Sequence, residues 1–368
     1  MLQTLHLQHF RSHEDLKIEF SDRSTLVVGP NASGKTSIIE AIHLLATGQS
    51  FRAGKVEEMV GFSAEWARIT GVLSASPSED TEVEQELEQT ELSVLLTRGI
   101  LQGKKTHHKH FSVNGINRQL HKMLGQLQTA VFRPEDMRII EGSPSRRRRF
   151  LDEVAGSFDG EYLRAMKTYE QSLKRYNKLL EMVRDNRQPT TILEYWERAM
   201  VKHGEYLQRQ REQFLVATKQ VSFAVRLQVE YIPSIITQER LDHYQERAII
   251  VGHSLIGPHK DDFLVSCDVQ DLWRGQLSQF HDVALYGSRG QQRLAVLWLK
   301  ACQLNYIETQ TGQKPLLLLD DIFSELDEEN QQVVVKLINN HQAIVTSADK
   351  NVESMLPSDV LLVQLKDE

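Results

Sequence analysis

The chain has 368 residues, 40% hydrophobic and 25% charged, with a formal net charge of −7. That composition is ordinary for a globular protein and excludes a collagen-like or low-complexity chain, while the length suits two domains or one large domain with an insertion. Its two cysteines, Cys267 and Cys302, form neither a disulfide framework nor a close-spaced zinc pair, as expected in a reducing cytosol.

The opening MLQTLHLQHF lacks the apolar core of a signal peptide, and no apolar run approaches roughly 18 residues. The expectation is a cytoplasmic protein, neither secreted nor membrane-spanning. Residues 2–7 and 16–20 alternate apolar and polar, as half-buried strands do. STLVVG then runs apolar into a glycine, and after PNASGKT the stretch SIIEAIHLL sets Ile38, Ile39, Ile42 and Leu45 at helical spacing. Strand, glycine loop and helix therefore follow in order. Residues 67–72 and 92–97 read as strands, and the acidic SASPSEDTEVEQELEQTE between them reads as a loop. Asn114-Gly115 between short apolar runs signals a type I′ hairpin.

From about residue 145 the texture becomes helical. Residues 161–185 place Leu163, Met166, Leu173, Tyr176 and Leu180 on one stripe, and residues 191–221 form a second long helical stretch, with Asn186–Pro189 as the turn between them. Residues 145–245 carry 18 Lys+Arg against 14 Asp+Glu, a local +4, so the remainder carries −11. Strand texture returns at AIIVGH (248–253) and FLVSCDV. The apolar LLLLDD (316–321) is a buried strand ending in two carboxylates, followed by a helix in QQVVVKLIN and strands in QAIVTSA and DVLLVQL. The fold class predicted is α/β: a P-loop head with a mixed sheet and flanking helices, residues 1–140 and 250–368, carrying an inserted helical domain, residues 141–249.

GPNASGKT is a P-loop. Gly29 and Gly34 let the backbone turn tightly. The N–H groups of Gly29, Pro30 (which has none to give), Asn31, Ala32, Ser33 and Gly34, continued by Ser37 on the helix, form the candidate phosphate cradle. Lys35 supplies an ammonium to the β- and γ-phosphates of ATP, and Thr36 a hydroxyl to Mg²⁺. LLLLDD is the matching Walker B strand: Asp320 is the second Mg²⁺ residue, and Asp321 either polarises the attacking water or merely caps a helix.

Lys35 and Asp320 lie 285 residues apart, which implies an insertion in a compact P-loop domain. Ser288, Gly290 and Gln291 open an amphipathic helix 32 residues before Asp320, with SELD just beyond it. That order resembles the ATP-binding-cassette ATPases. The resemblance implies that Ser288, Gly290 and Gln291 of one protomer complete the nucleotide site of another. Across almost the full length, LHLQHFRSHEDLKIEF, the P-loop with SIIEAIHLLATGQSFR, FRPEDMRIIEGSPSRRRRFLDEV, GPHKDD, SRGQQR and LLLLDDIFSELD are similar to the RecF family, bacterial recombination-repair ATPases related to SMC proteins. This resemblance implies an ATP-dependent homodimer that binds single- and double-stranded DNA at gaps and junctions. It also implies ATP hydrolysis, work with RecR and RecO to load RecA, and a part in DNA replication and the SOS response.

Several positions depart from the cassette pattern. Ala32 stands where many relatives have glycine, which is harmless only with a negative φ. No glutamine marks the Q-loop, so Glu135 or Asp136 is expected there, and Thr346 and Ser347 fall where a switch histidine would stand. A hydroxyl senses a γ-phosphate less well than an imidazole, so hydrolysis is expected to be slow. Arg11 is either a phosphate- or DNA-contacting residue or a surface loop arginine. For DNA the candidates are Arg146, Arg147, Arg148 and Arg149, alternatively a helix start paired with local acids, and Lys104 and Lys105 in GKKTHHKH, whose histidines lack carboxylate or cysteine neighbours for a metal site. With no base-reading motif, sequence-independent binding follows. The rivals are the ATPase subunit of a membrane transporter and a DNA-binding scaffold in which ATP is only structural.

Overall fold

The computed structural model describes residues 1–74, 89–223, 225–269 and 279–365. They gather into two compact units, residues 1–136 with 307–368 and residues 137–306. The expected boundary at 250 is therefore not where the chain divides: residues 250–306 pack with the helical part. The reason is a three-stranded sheet in which Leu227–Ile232 pairs with Asp262–Val269, which pairs in turn with Gln279–Asp282. Most of the acidic stretch 74–91 lies outside the described residues.

In the first unit, Leu2–Phe10 pairs antiparallel with His13–Glu19 on one side and Trp66–Ser74 on the other. Gln89–Thr97, Lys109–Val113 and Ile116–Arg118 extend this sheet to six strands. Asn114 and Gly115 take φ of 51° and 72°, the two positive values a type I′ turn demands. A second sheet is parallel, in the order Thr129–Phe132, Leu316–Asp320, Ala343–Ser347, Ser24–Val28, Leu361–Gln364. Its inner strands are buried along their whole length, which is why they read as unbroken apolar runs. The helix Lys35–Thr47 touches strands of both sheets and is buried almost all round, so its apolar residues are not confined to one stripe. Ile38, Ile39, Ile42 and Leu45 join Leu5, Leu7, Ile69, Val94 and Leu318 in one core.

In the second unit, Gly160–Arg184 and Glu194–Ala217 pack together with Gln238–Val251. The buried stripe of the first is centred on Tyr162, Ala165, Tyr169, Ser172, Tyr176 and Leu180. Of the residues predicted for it, Tyr176 and Leu180 are buried, whereas Leu163, Met166 and Leu173 flank it half-buried. AIIVGH is not a strand. Thr237 caps the helix start by accepting the Arg240 N–H, and Gly252 ends the helix at φ 81°, so these caps override the β-branched texture of the last turn. Ile250 is left mostly exposed.

Candidate nucleotide-binding site

Ser24–Val28 delivers the chain to Gly29 at the carboxyl end of the parallel sheet, where open α/β sheets bind ligands. Lys35 Nζ donates to the carbonyl oxygens of Gly29 and Pro30, 2.7 Å each, and so curls the loop around its own ammonium. Gly34 has φ 85°, and a Cβ there would lie 2.2 Å from His13 Nε2. Only glycine fits this position, a constraint set by a histidine the sequence reading missed. At Gly29 a Cβ would fall 2.6 Å from Ser33 Oγ, a buried hydroxyl with no partner among the described residues. The cradle thus has the tight glycine backbone, the cation and a spare buried donor that a phosphate requires. Ala32 overturns its condition: its φ is 70°, in the left-handed region where an L-residue is strained.

The Walker B strand brings Asp320 beside the loop. Its Oδ1 accepts from Thr36 Oγ1 at 3.0 Å and from Thr346 Oγ1 at 2.9 Å. Burial pushes this carboxyl above its usual range, and the two hydroxyls pull it back. Two oxygen donors side by side, one of them a carboxylate, suit Mg²⁺, which keeps most of its waters and takes few protein ligands. Thr346 is fully buried and spends its hydroxyl on Asp320, so it is not a free phosphate sensor. Ser347 Oγ accepts the Asp349 N–H.

Asp321 sits at φ 49° at the start of the turn Ile322–Glu325, but its side chain caps nothing in that turn. The carboxylate takes the Ala348 N–H instead, and burial raises it above the ordinary carboxylate range against the pull of Lys35. The capping alternative therefore fails. Of the two Q-loop candidates, Asp136 is bound by the Arg133 backbone N–H and guanidinium, whereas Glu135 is exposed and close enough to Asp320 to raise it further.

Lys35, Thr36, Asp320 and Asp321 line one cavity of about 680 Å³, within the size range of small-molecule pockets. Arg11 lines it too, but its guanidinium is committed. It makes a bidentate pair with fully buried Glu40, at 2.9 and 2.6 Å, and donates to the Glu58 carbonyl at 2.6 Å. Arg52, Phe62 and Arg98 also line the cavity, and no motif in the sequence marks them.

Ser288, Gly290 and Gln291 belong to the second unit, at the start of the helix Arg289–Thr311. The Ser288 N–H donates to Gln291 Oε1 at 2.8 Å, and the Gln291 N–H to Ser288 Oγ at 3.3 Å. This is a reciprocal capping box, so two of the signature residues shape their own helix start. The arginine run is largely engaged within its unit. Arg147 forks onto Asp262, Arg148 donates to the Asp261 carbonyl, and Arg149 pairs with Glu153, while Arg146 is exposed. Lys104 and Lys105 are exposed on a short hairpin.

The family model for the RecF/RecN/SMC N terminal domain matches residues 1–365. The DNA replication and repair protein RecF of Ligilactobacillus salivarius (strain UCC118) is 31% identical, covering 92% of this chain and 88% of that protein. Its namesake from Caldanaerobacter subterraneus subsp. tengcongensis is 28% identical, covering 95% and 94%. The solved recombination mediator protein RecF-ATPrS in the RecFOR pathway superposes with a TM-score of 0.81 at 27% identity, covering 99% of this chain and 96% of that one. An Smc head domain from Pyrococcus furiosus, 16% identical with a TM-score of 0.52, shares the fold.

Proposed function

The chain belongs to the RecF/RecN/SMC N-terminal domain family, in its RecF branch, and from that premise we propose an ATP-driven clamp that closes as a homodimer on DNA and opens on slow hydrolysis. It is an ATP-binding protein of DNA replication and repair in the RecFOR pathway. Family membership decides against the transporter subunit. The observation that carries the proposal is the convergence of Lys35, Thr36, Asp320 and Asp321 on one cavity at the carboxyl end of the parallel sheet.

Lys35 holds the β- and γ-phosphates, and the loop N–H groups cradle them. Thr36 and Asp320 would hold Mg²⁺, which supplies charge neutralisation on the phosphate oxygens. Asp321 takes the proton of the attacking water; its raised affinity for a proton is the direction a general base near neutral pH needs. Ser288 and Gly290 of the partner close the site over the γ-phosphate, with Gln291 holding Ser288 in its cap. The Thr346 hydroxyl is committed to Asp320 and not free to read the γ-phosphate, which supports turnover below about 10 s⁻¹. Arg146, Lys104 and Lys105 are the exposed cations offered to DNA phosphates, and RecR and RecO are the partners in placing RecA, in the cytoplasm and during the SOS response.

Sedimentation with and without ATP and Mg²⁺, on a gapped duplex across a salt series, tests this. ATP-linked doubling of mass and a steep loss of DNA binding with salt are expected. Asp321→Asn should keep the dimer and stop turnover. Normal hydrolysis by that variant, or nucleotide-loaded particles that stay single, would overturn the assignment.

A further inference from the structure

Phe62 is exposed over its entire side chain, the most exposed large apolar residue among those described. A slack loop would explain that cheaply, but this loop is fastened. Phe62 occupies the second position of a turn closed by the Ala64 N–H to the Gly61 carbonyl at 3.0 Å. The Gly61 N–H donates to the His9 carbonyl at 2.7 Å. A Cβ on Gly61 would stand 3.1 Å from that oxygen, so the backbones meet closely. Arg98 clamps the other side, its Nε donating to the Ala64 carbonyl at 3.0 Å and its Nη2 to that of Gly61 at 3.1 Å. Arg11 ties down the approach through Met59 and Glu58. An apolar ring held out in water by a braced turn is waiting for something flat and apolar to cover it.

The cavity says what that is. Phe62 lines the same space as Lys35, Thr36 and Asp320. Lys35 and Thr36 serve the triphosphate, which leaves the base of the nucleotide, with its π-face, to the rest of the lining. We infer that Phe62 stacks on the purine base of the nucleotide whose phosphates Lys35 and Thr36 hold. The ring offers no hydrogen bond, so it positions the base without reading its edge, and it favours purines over pyrimidines by contact area alone. Base–aromatic stacking of this kind is lost measurably on truncation to alanine.

This rests on the nucleotide reading of the cavity, and the test separates the two. Equilibrium binding of ATP and of inorganic tripolyphosphate is measured on the full chain, for the wild type, Phe62→Ala and Phe62→Trp. Phe62→Ala should bind ATP roughly tenfold more weakly and tripolyphosphate with unchanged affinity, while Phe62→Trp keeps ATP binding. Equal ATP affinity in wild type and Phe62→Ala, or equal losses for both ligands, overturns the stacking role alone. Unchanged ATP affinity together with loss of an ATP-dependent heavier species assigns the ring to a second copy of the chain and also overturns it. Failure of the wild type to bind either ligand overturns the nucleotide site itself.

Discussion

Thr346 gives the sharpest handle on the Walker B carboxylate. Asp320 Oδ1 accepts two hydroxyls, and Thr36 could still donate its hydrogen to Asp320 while a lone pair of its oxygen served a metal ion. Of the two donors, Thr346 is the fully buried one and lies outside the P-loop. Replacing it with valine removes a hydrogen bond to a charged group, worth about 1.5–3 kcal/mol, or a factor of about 10–150 in an equilibrium constant. The backbone frame survives, because the Asp321 N–H still reaches the Thr346 carbonyl at 3.1 Å. Thr346→Val is expected to need at least about tenfold more Mg²⁺ for half-maximal Mg²⁺-dependent ATP binding, and Thr346→Ser to restore it. The pH dependence has a definite sign. Burial already raises the Asp320 carboxyl and the Thr346 bond lowers it, so the variant raises it further. Mg²⁺-dependent binding should then fail at a higher pH than in the wild type. A folded Thr346→Val protein with unchanged Mg²⁺ dependence would refute the positioning role.

Two further outcomes test the backbone and the second unit. Ala32→Gly should stabilise the chain: the left-handed position costs alanine about 1–2 kcal/mol, and glycine's extra unfolded-state entropy returns about 0.5–1 kcal/mol of that. A urea unfolding midpoint at or below the wild type's contradicts the strain at φ 70°. In the second unit, burial lowers the His259 imidazole from 6.5 to about 4, with Lys260 and Arg148 adding to the shift and the Ser254 carbonyl and Asp261 opposing it. The Tyr169 hydroxyl and its Nδ1 share a hydrogen bond at 2.8 Å. The unfolded chain binds this proton first as pH falls. His259 thus contributes stability that is present above pH 6.5 and lost down to about pH 4, in total about 3 kcal/mol. His259→Gln should flatten that part of the stability–pH curve, and a curve parallel to the wild type's refutes it.

What the sequence made legible were the places where backbone path and chemistry coincide. The P-loop requires its glycines, the inner strands of a parallel sheet must be apolar, and Asn-Gly with two positive φ values makes its own hairpin. Partner choice was not legible, and the arginines show why. Arg11 and Arg147 have the chemistry of phosphate ligands, yet each forks onto a carboxylate of its own unit. The deciding information is on the acid. Glu40 lies fully buried in a helix with no solvated face, where an unpaired carboxylate is untenable, so a cation had to come to it. Asp261 is equally buried and draws Arg211 at 2.8 Å, the Tyr231 hydroxyl, Gln208 and the Ser234 N–H. GPHKDD is thus explained by the hub it builds inside the second unit. An acid stranded in an apolar helix, as in SIIEAIHLL, is therefore the signal to read before assigning any arginine to a polyanion. Arg146, Lys104 and Lys105, exposed and away from such acids, are the cations to replace first when the proposed DNA contact is tested.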